Sequence, residues 1–565
     1  MTSPLSRRDF VRAAAQASAL PLLAPLTAAT PPLPNADAGP AGAPAPAGMD
    51  ADLLEVTVAR LHALYAAGRY TPTQVTRWYL DRIARYDGTY RAFIHVDAPG
   101  ALATARALEA AASAAHTRAA RGPLWGVPVI IKSNTSVRGL VTSAGWCGYL
   151  IPGRELVAPK DAPVAARLRA AGAIIVGQAN MPDFAASDAN VSTAYGRTGN
   201  AYDPRFSPGG SSGGVVTAVT ANLCVLGNGT DTGNSIRMPA GTSAVVGLFP
   251  TRGLVSIAGI HPLDWLRDNT GPIARTVADV AAALDVMAGA DPEDARTRDA
   301  PAAAQRGPYA QYLRADALRG ERFGVPAFML GAHTKSGPWD ADLPMRPETR
   351  AMFTRALDAL RAAGATVVFD DALLPDAFPQ LVATIQTEPY LAEGVEHFLR
   401  DYGPAAYHSA AEYAQVVGAP FPAQMRGAGP DGALVPDRRR VLETDPQAEA
   451  AFWGPRRRAL AAYAEALDHF RLDGLVYPAL QMPPNDELAD LRAGRASEGP
   501  HSATAWVNPL GVPALVVPGG FYAGGLPFGL EFSARPWRDG DLLGWGYAYE
   551  QATRYRRPPT LAGAR

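Results

Sequence analysis

Gly227–Ala240 reads G-N-G-T-D-T-G-N-S-I-R-M-P-A, and few backbones accommodate such a stretch. It follows the apolar run Ala221–Leu226, which reads as a buried strand, and sets three glycines ahead of a single serine, Ser235. Glycine lacks a Cβ, so successive N–H groups can converge on one small volume. A serine at the end of such a turn has its hydroxyl beside ready-made oxyanion donors, the requirement of acyl transfer. Taken alone, the stretch reads equally well as a strand-to-helix turn with a capping serine.

Upstream segments bear on that choice. L-W-G-V-P-V-I-I-K-S-N (Leu124–Asn134) is a short strand that ends at Lys132, with Val127–Ile131 apolar on both alternating faces apart from Pro128. A strand-end lysine is commonly a solvated surface charge. Here composition matters: of 52 basic residues only Lys132, Lys160 and Lys335 are lysine. Arginine keeps its proton in a protein whereas buried lysine gives it up, so a lysine in an apolar setting invites a chemical explanation. Between Lys132 and Ser235 lies S-P-G-G-S-S-G-G (Ser207–Gly214), a constrained turn ahead of the small-residue helix Val215–Ala221. No lysine follows it, so it is not a phosphate loop, and its place between a structured loop and an apolar helix disfavours a linker.

Strand and helix patterns alternate along the chain. Helices are expected over Asp52–Tyr65, from the capping box Thr71-Pro72-Thr73-Gln74 to about Tyr86, over Ala101–Ala120, from about Thr276, at 347–362 and 446–468, and to Thr553. Asp161–Gln178 is an αβ unit; further strands are read at Val246–Ser256, Phe323–Pro326, Ala365–Phe369, Gly474–Ala479, Pro513–Gly520 and Leu526–Phe532. The fold class is therefore α/β, a single large domain over residues 50–565 with a mixed central sheet covered by helices on both faces. Residues 295–505 form its variable, substrate-shaping part, with Trp265, Trp339 and the loops near 427–440 and 484–502 as candidate pocket walls.

Ahead of it, S-R-R-D-F-V-R (Ser6–Arg12) and a mild Ala/Leu stretch read as a twin-arginine export signal over residues 1–30, implying a periplasmic or secreted protein. A Pro/Ala/Gly-rich linker follows over 31–49. A formal charge of −1 gives no electrostatic case for nucleic acid, and no later apolar run is long enough to span a bilayer. Two cysteines, Cys147 and Cys224, exclude a disulfide framework and a cysteine-based metal site, and His-Glu-x-x-His is absent.

A buried lysine, a constrained Ser-Ser turn and a serine in an oxyanion-type turn make a nucleophile set without histidine. These segments, I-I-K, G-G-S-S-G-G and T-D-T-G-N-S-I-R-M-P-A, strongly resemble the amidase signature family of amide hydrolases. The likeness runs from about residue 52 to 285 and returns at Asn508–Leu530. The resemblance implies Ser235 as nucleophile, Ser211 as bridging serine after a cis peptide from Gly210, and Lys132 as base. It implies oxyanion donors on the backbone N–H groups of Thr232, Gly233, Asn234 and Ser235. Ser212 and an Asp231–Arg237 brace would support them, and no cofactor or metal is required. The expected partner is a small-molecule amide; oligomeric state is open, a homodimer included. Two residues depart from the family pattern: Asn234 stands where glycine is usual, and Ser133 where aspartate is usual. Three other readings compete: a Ser-His-Asp hydrolase using His261 with Asp264 or Asp268, a non-catalytic binding protein on the same fold, and one component of a transamidating enzyme that works on misacylated transfer RNA.

Overall fold

Missing side chains decide where the buried strands pass. In the computed structural model, which describes residues 48–115, 122–298, 300–330, 345–427, 435–495, 497 and 499–562, the glycine-rich stretch is itself a strand. In chain order the strands are β1 (Phe93–Val96), β2 (Pro128–Lys132), β3 (Ile174–Ala179), β4 (Val191–Ser192), β5 (Gly196–Arg197), β6 (Leu226–Asp231) and β7 (Val246–Phe249). They continue as β8 (Asn269–Ala274), β9 (Arg322–Val325), β10 (Thr366–Phe369), β11 (Gly474–Pro478), β12 (Ala514–Phe521) and β13 (Pro527–Ala534). Eleven form one mixed sheet in the order β1-β3-β2-β6-β8-β7-β12-β13-β11-β9-β10, and β4–β5 is a separate small pair. Inside the β1 edge β3, β2 and β6 run parallel, and β6, β8, β7 and β12 pair antiparallel in turn.

The expected strand over Ala221–Leu226 is thus corrected: the strand starts at Leu226 and its body is L-G-N-G-T-D. Ala221 caps the helix Gly213–Thr220, and the next residues only lead into the sheet. Glycine is required because a Cβ on Gly227 would stand 2.6 Å from Ile130 Cγ2, and one on Gly229 2.7 Å from Ile273 Cδ1. β8 went unread for the same reason. N-T-G-P-I-A looks like a turn, yet a Cβ on Gly271 would lie 2.0 Å from the Leu248 carbonyl of β7. Close backbone approach, not flexibility, explains that glycine.

Helices cover both faces. Val129 and Ile131 of β2 point into one apolar layer with Val75, Trp78, Val280 and Leu284, and Ile130 into the other with Val215, Val219 and Ile236. β2 is accordingly buried throughout. The expected Asp52–Tyr65 helix is two, Met49–Leu53 and Val58–Ala66, because Glu55 takes a left-handed φ of 58° and Thr57 caps the second. The Thr71–Gln74 capping box is present, and its helix runs on to Tyr90. Val246–Ser256 keeps only its first four residues as strand. The 446–468 helix opens with a π-type turn, Glu449–Trp453, before Gly454–His469. The export signal, most of the linker, residues 116–120 of the expected Ala101–Ala120 helix (observed as Ala98–Ala115) and Trp339 lie outside the described residues. Among the described residues, no helix is long and apolar enough to cross a membrane.

Candidate active site

Lys132 closes β2, an interior strand between β3 and β6, and is fully buried. Its backbone N–H donates to Asn228 Oδ1 at 3.1 Å, which fixes the strand end against β6. Its Nζ is ringed by oxygens: Ser211 Oγ at 2.7 Å, Thr230 Oγ1 at 2.8 Å, Ser212 Oγ at 3.0 Å and the Thr230 carbonyl at 3.3 Å. None of these is a carboxylate. Burial therefore dominates and brings the amine down to about 7, against a smaller opposing pull from Asp231 and Asp268.

Ser211 and Ser212 come from the turn before the helix Gly213–Thr220, and the Gly210–Ser211 peptide is cis. The glycines around them have no room for side chains. A Cβ on Gly210 would lie 2.6 Å from the Ser187 carbonyl, and one on Gly214 2.3 Å from that of Asn180. Ser212 stitches the turn to both neighbours: its N–H donates to the Ser235 carbonyl at 3.2 Å and its hydroxyl to the Thr230 carbonyl at 3.2 Å.

Ser235 sits between β6 and the helix Arg237–Ser243. Lys132, Ser211 and Ser235 are all buried. A Cβ on Gly233 would meet nothing within 4 Å, which puts open space over this turn. Arg237 holds it from behind. Its Nε donates to Asp231 Oδ2 at 3.2 Å, its Nη1 to Glu531 Oε1 at 2.7 Å and to the Thr504 carbonyl at 3.0 Å, and its Nη2 to the Gly233 carbonyl. Asn508 Nδ2 adds bonds to the Asp231 carbonyl at 2.9 Å and carboxylate at 3.1 Å. Burial pushes Glu531 up to about 7 despite that arginine.

The departures from the expected pattern have structural consequences. Asn234 Nδ2 donates to Ser502 Oγ at 2.7 Å, tying the 499–504 loop to the serine turn. Ser133 is buried with its hydroxyl unpaired, and Asn134 Nδ2 donates to Thr230 Oγ1 at 3.1 Å. Trp265 is half-buried, its Nε1 donating to the Tyr390 carbonyl at 3.1 Å.

His261 does not join the set. One ring nitrogen meets Tyr149 Oη at 2.8 Å and the other the Pro262 carbonyl at 3.1 Å, within a cage of Tyr149, Phe184 and Phe398. Burial drives it down to about 3, so it stays neutral, with both nitrogens engaged away from Ser235. Asp264 accepts from Thr387 and Asp268 from Thr232. The His261 reading fails on geometry.

Four residues at the site escaped sequence reasoning, Asn228, Thr230, Asn508 and Glu531, and a fifth, Asp268, was read only as a partner for His261. The first two sit in G-N-G-T-D and were legible once that segment is a strand, since β6 then faces Lys132 through alternate residues. Asp268, Asn508 and Glu531 arrive from remote segments, and nothing local marks their place beside the serine turn.

The sequence profile of the Amidase family matches residues 74–543. The chain belongs to the amidase-signature family. This amidase-signature chain is 33% identical to the A-type component of the glutamyl-tRNA(Gln) amidotransferase of Symbiobacterium thermophilum, over 88% of its own length and 97% of that protein's. It is 34% identical to the same-named protein of Roseiflexus castenholzii, over 89% and 96%. Among solved structures, the native peptide amidase of Stenotrophomonas maltophilia matches with a TM-score of 0.73 at 32% identity, covering 90% of this chain and 99% of that one. Membership sets the chain among enzymes acting on carboxamide C–N bonds, by hydrolysis or by amidotransfer.

Proposed function

We propose that the protein is a serine amidohydrolase that cleaves a carboxylic amide through an acyl-enzyme. One observation carries this reading: a fully buried amine, about half uncharged near pH 7, stands 2.7 Å from Ser211, whose turn is bonded to the Ser235 peptide. The uncharged amine offers its lone pair to the Ser211 hydroxyl and its two N–H bonds to the Ser212 and Thr230 oxygens. Ser235 Oγ attacks the amide carbonyl and passes its proton to Ser211, which passes its own to Lys132. The carbonyl oxygen, now negative, is received by the N–H groups of Thr232, Gly233, Asn234 and Ser235. The tetrahedral adduct expels the amine, which takes the proton back along the same route. Water then cleaves the Ser235 ester, releasing the acid and restoring the serine.

The test is release of ammonia or amine from a panel of aryl, aliphatic and peptide amides by the purified chain alone. Ser235→Ala should lower kcat by about 10⁴-fold or more; retention of turnover would overturn the assignment. A second reading, one component of an amidotransferase, draws on the 33% identity with the Symbiobacterium protein. It predicts turnover that depends on added partner proteins, and hydrolysis at full rate without them argues against it. The twin-arginine pattern supports export to the periplasm; Arg7→Lys with Arg8→Lys should leave the protein in the cytoplasmic fraction, and unchanged fractionation would refute the signal.

A further inference from the structure

β6 and β8 pair antiparallel with Asp231 opposite Asn269. One step further along that register, Thr232 stands opposite Asp268, and its hydroxyl donates to Asp268 Oδ1. The other carboxylate oxygen, Oδ2, accepts from the Leu263 N–H at 3.0 Å and the Asp264 N–H at 3.3 Å. Asp268 is therefore buried, bonded through both oxygens, and fixed by its own loop rather than by a surface cation. Arg296 approaches only its backbone, donating from Nη1 to the Asp268 carbonyl at 3.2 Å, while the Arg296 guanidinium is paired with Asp294.

We propose that Asp268 is a positioning residue: it clamps Thr232, the first residue of the proposed oxyanion turn. The proposal rests on the amidohydrolase reading given above. The clamp matters because an N–H donor must be aimed at the position of the developing oxyanion before the reaction begins. Without the carboxylate, Thr232 loses the acceptor that fixes its side chain, while Gly233, the next residue, has no side chain to restrain the turn.

The experiment measures kcat and KM per folded enzyme on one amide substrate for the wild type, Asp268→Ala, Thr232→Val and Thr232→Ser. Thr232→Val, which removes the hydroxyl that Asp268 accepts from, should lower kcat about tenfold with KM within threefold. Asp268→Ala should lose kcat similarly, and Thr232→Ser, which keeps the hydroxyl, should restore it. A merely structural role would lower the yield of folded enzyme and leave kcat per folded molecule unchanged. Unchanged kcat in Thr232→Val overturns the clamp. Should Asp268→Ala not fold, Thr232→Val and Thr232→Ser still decide it. Loss of activity in Ser235→Ala together with unchanged kcat in Thr232→Val would sink this inference and leave the amidohydrolase reading standing.

Discussion

Burying Lys132 has a thermodynamic signature that does not depend on knowing the substrate. In the unfolded chain the amine titrates at its ordinary 10.5, and in the folded protein at about 7. Between those two values the unfolded state holds a proton that the folded state has released. Stability must then rise with pH across that window and fall as pH drops from 10.5 towards 7. The full slope is about 1.4 kcal/mol per pH unit, which gives about 2–3 kcal/mol between pH 7.5 and 9.5. Other groups titrate in the same range, so the quantity to measure is a difference. Lys132→Met removes the amine and roughly keeps its length; guanidinium denaturation of both proteins at pH 7.5, 8.5 and 9.5 gives the gap between them. That gap should shift in favour of the wild type by about 2–3 kcal/mol from the lowest to the highest pH. Parallel stability curves would mean that the amine keeps its proton in the folded protein, and a proton-accepting lysine would be untenable. The same value predicts that kcat/KM of the wild type falls below about pH 7, as the amine takes up its proton.

Arg237→Met should cost about 3–5 kcal/mol in chemical denaturation, because Asp231 and Glu531 are left buried without their cation. The defect should shrink as pH falls below about 7 and the Glu531 carboxyl becomes neutral, and a pH-independent defect would contradict the brace. His261→Phe, with a ring that fits the aromatic cage, should keep kcat within about threefold of wild type while lowering stability by about 1–2 kcal/mol for the lost Tyr149 bond. Near-complete loss of turnover in that variant would revive the histidine mechanism.

The sequence carried the site better than it carried the strands around it. Lys132, the two serines of the Gly209–Gly214 turn and Ser235 could be picked out because their chemistry depends on local constraints, glycine spacing and a residue type the chain otherwise avoids. Each is carried by β2 or β6 or by the turns beside them. β6 and β8 were misplaced or missed since their glycines serve contacts across the sheet, with Ile130, Ile273 and the Leu248 carbonyl, that no window of neighbouring residues reveals. The helix expected over Asp52–Tyr65 broke at Glu55, whose carboxylate pairs with Arg556 of the C-terminal tail, a partner 501 residues away. Asn508 and Glu531 were invisible for the same reason: polar residues within apolar motifs show their purpose only when the last strands dock.

That long reach orders events during synthesis. Asp231 waits for Asn508, 277 positions later, and Arg237 for Glu531, 294 positions later. A growing polypeptide halted before residue 508 already contains Lys132, Ser211 and Ser235, yet the turn carrying Ser235 still lacks the bonds with Asn508 and Glu531 that complete its brace. The brace behind Ser235 therefore closes only when the segments carrying Asn508 and Glu531 dock, long after Lys132, Ser211 and Ser235 have been made.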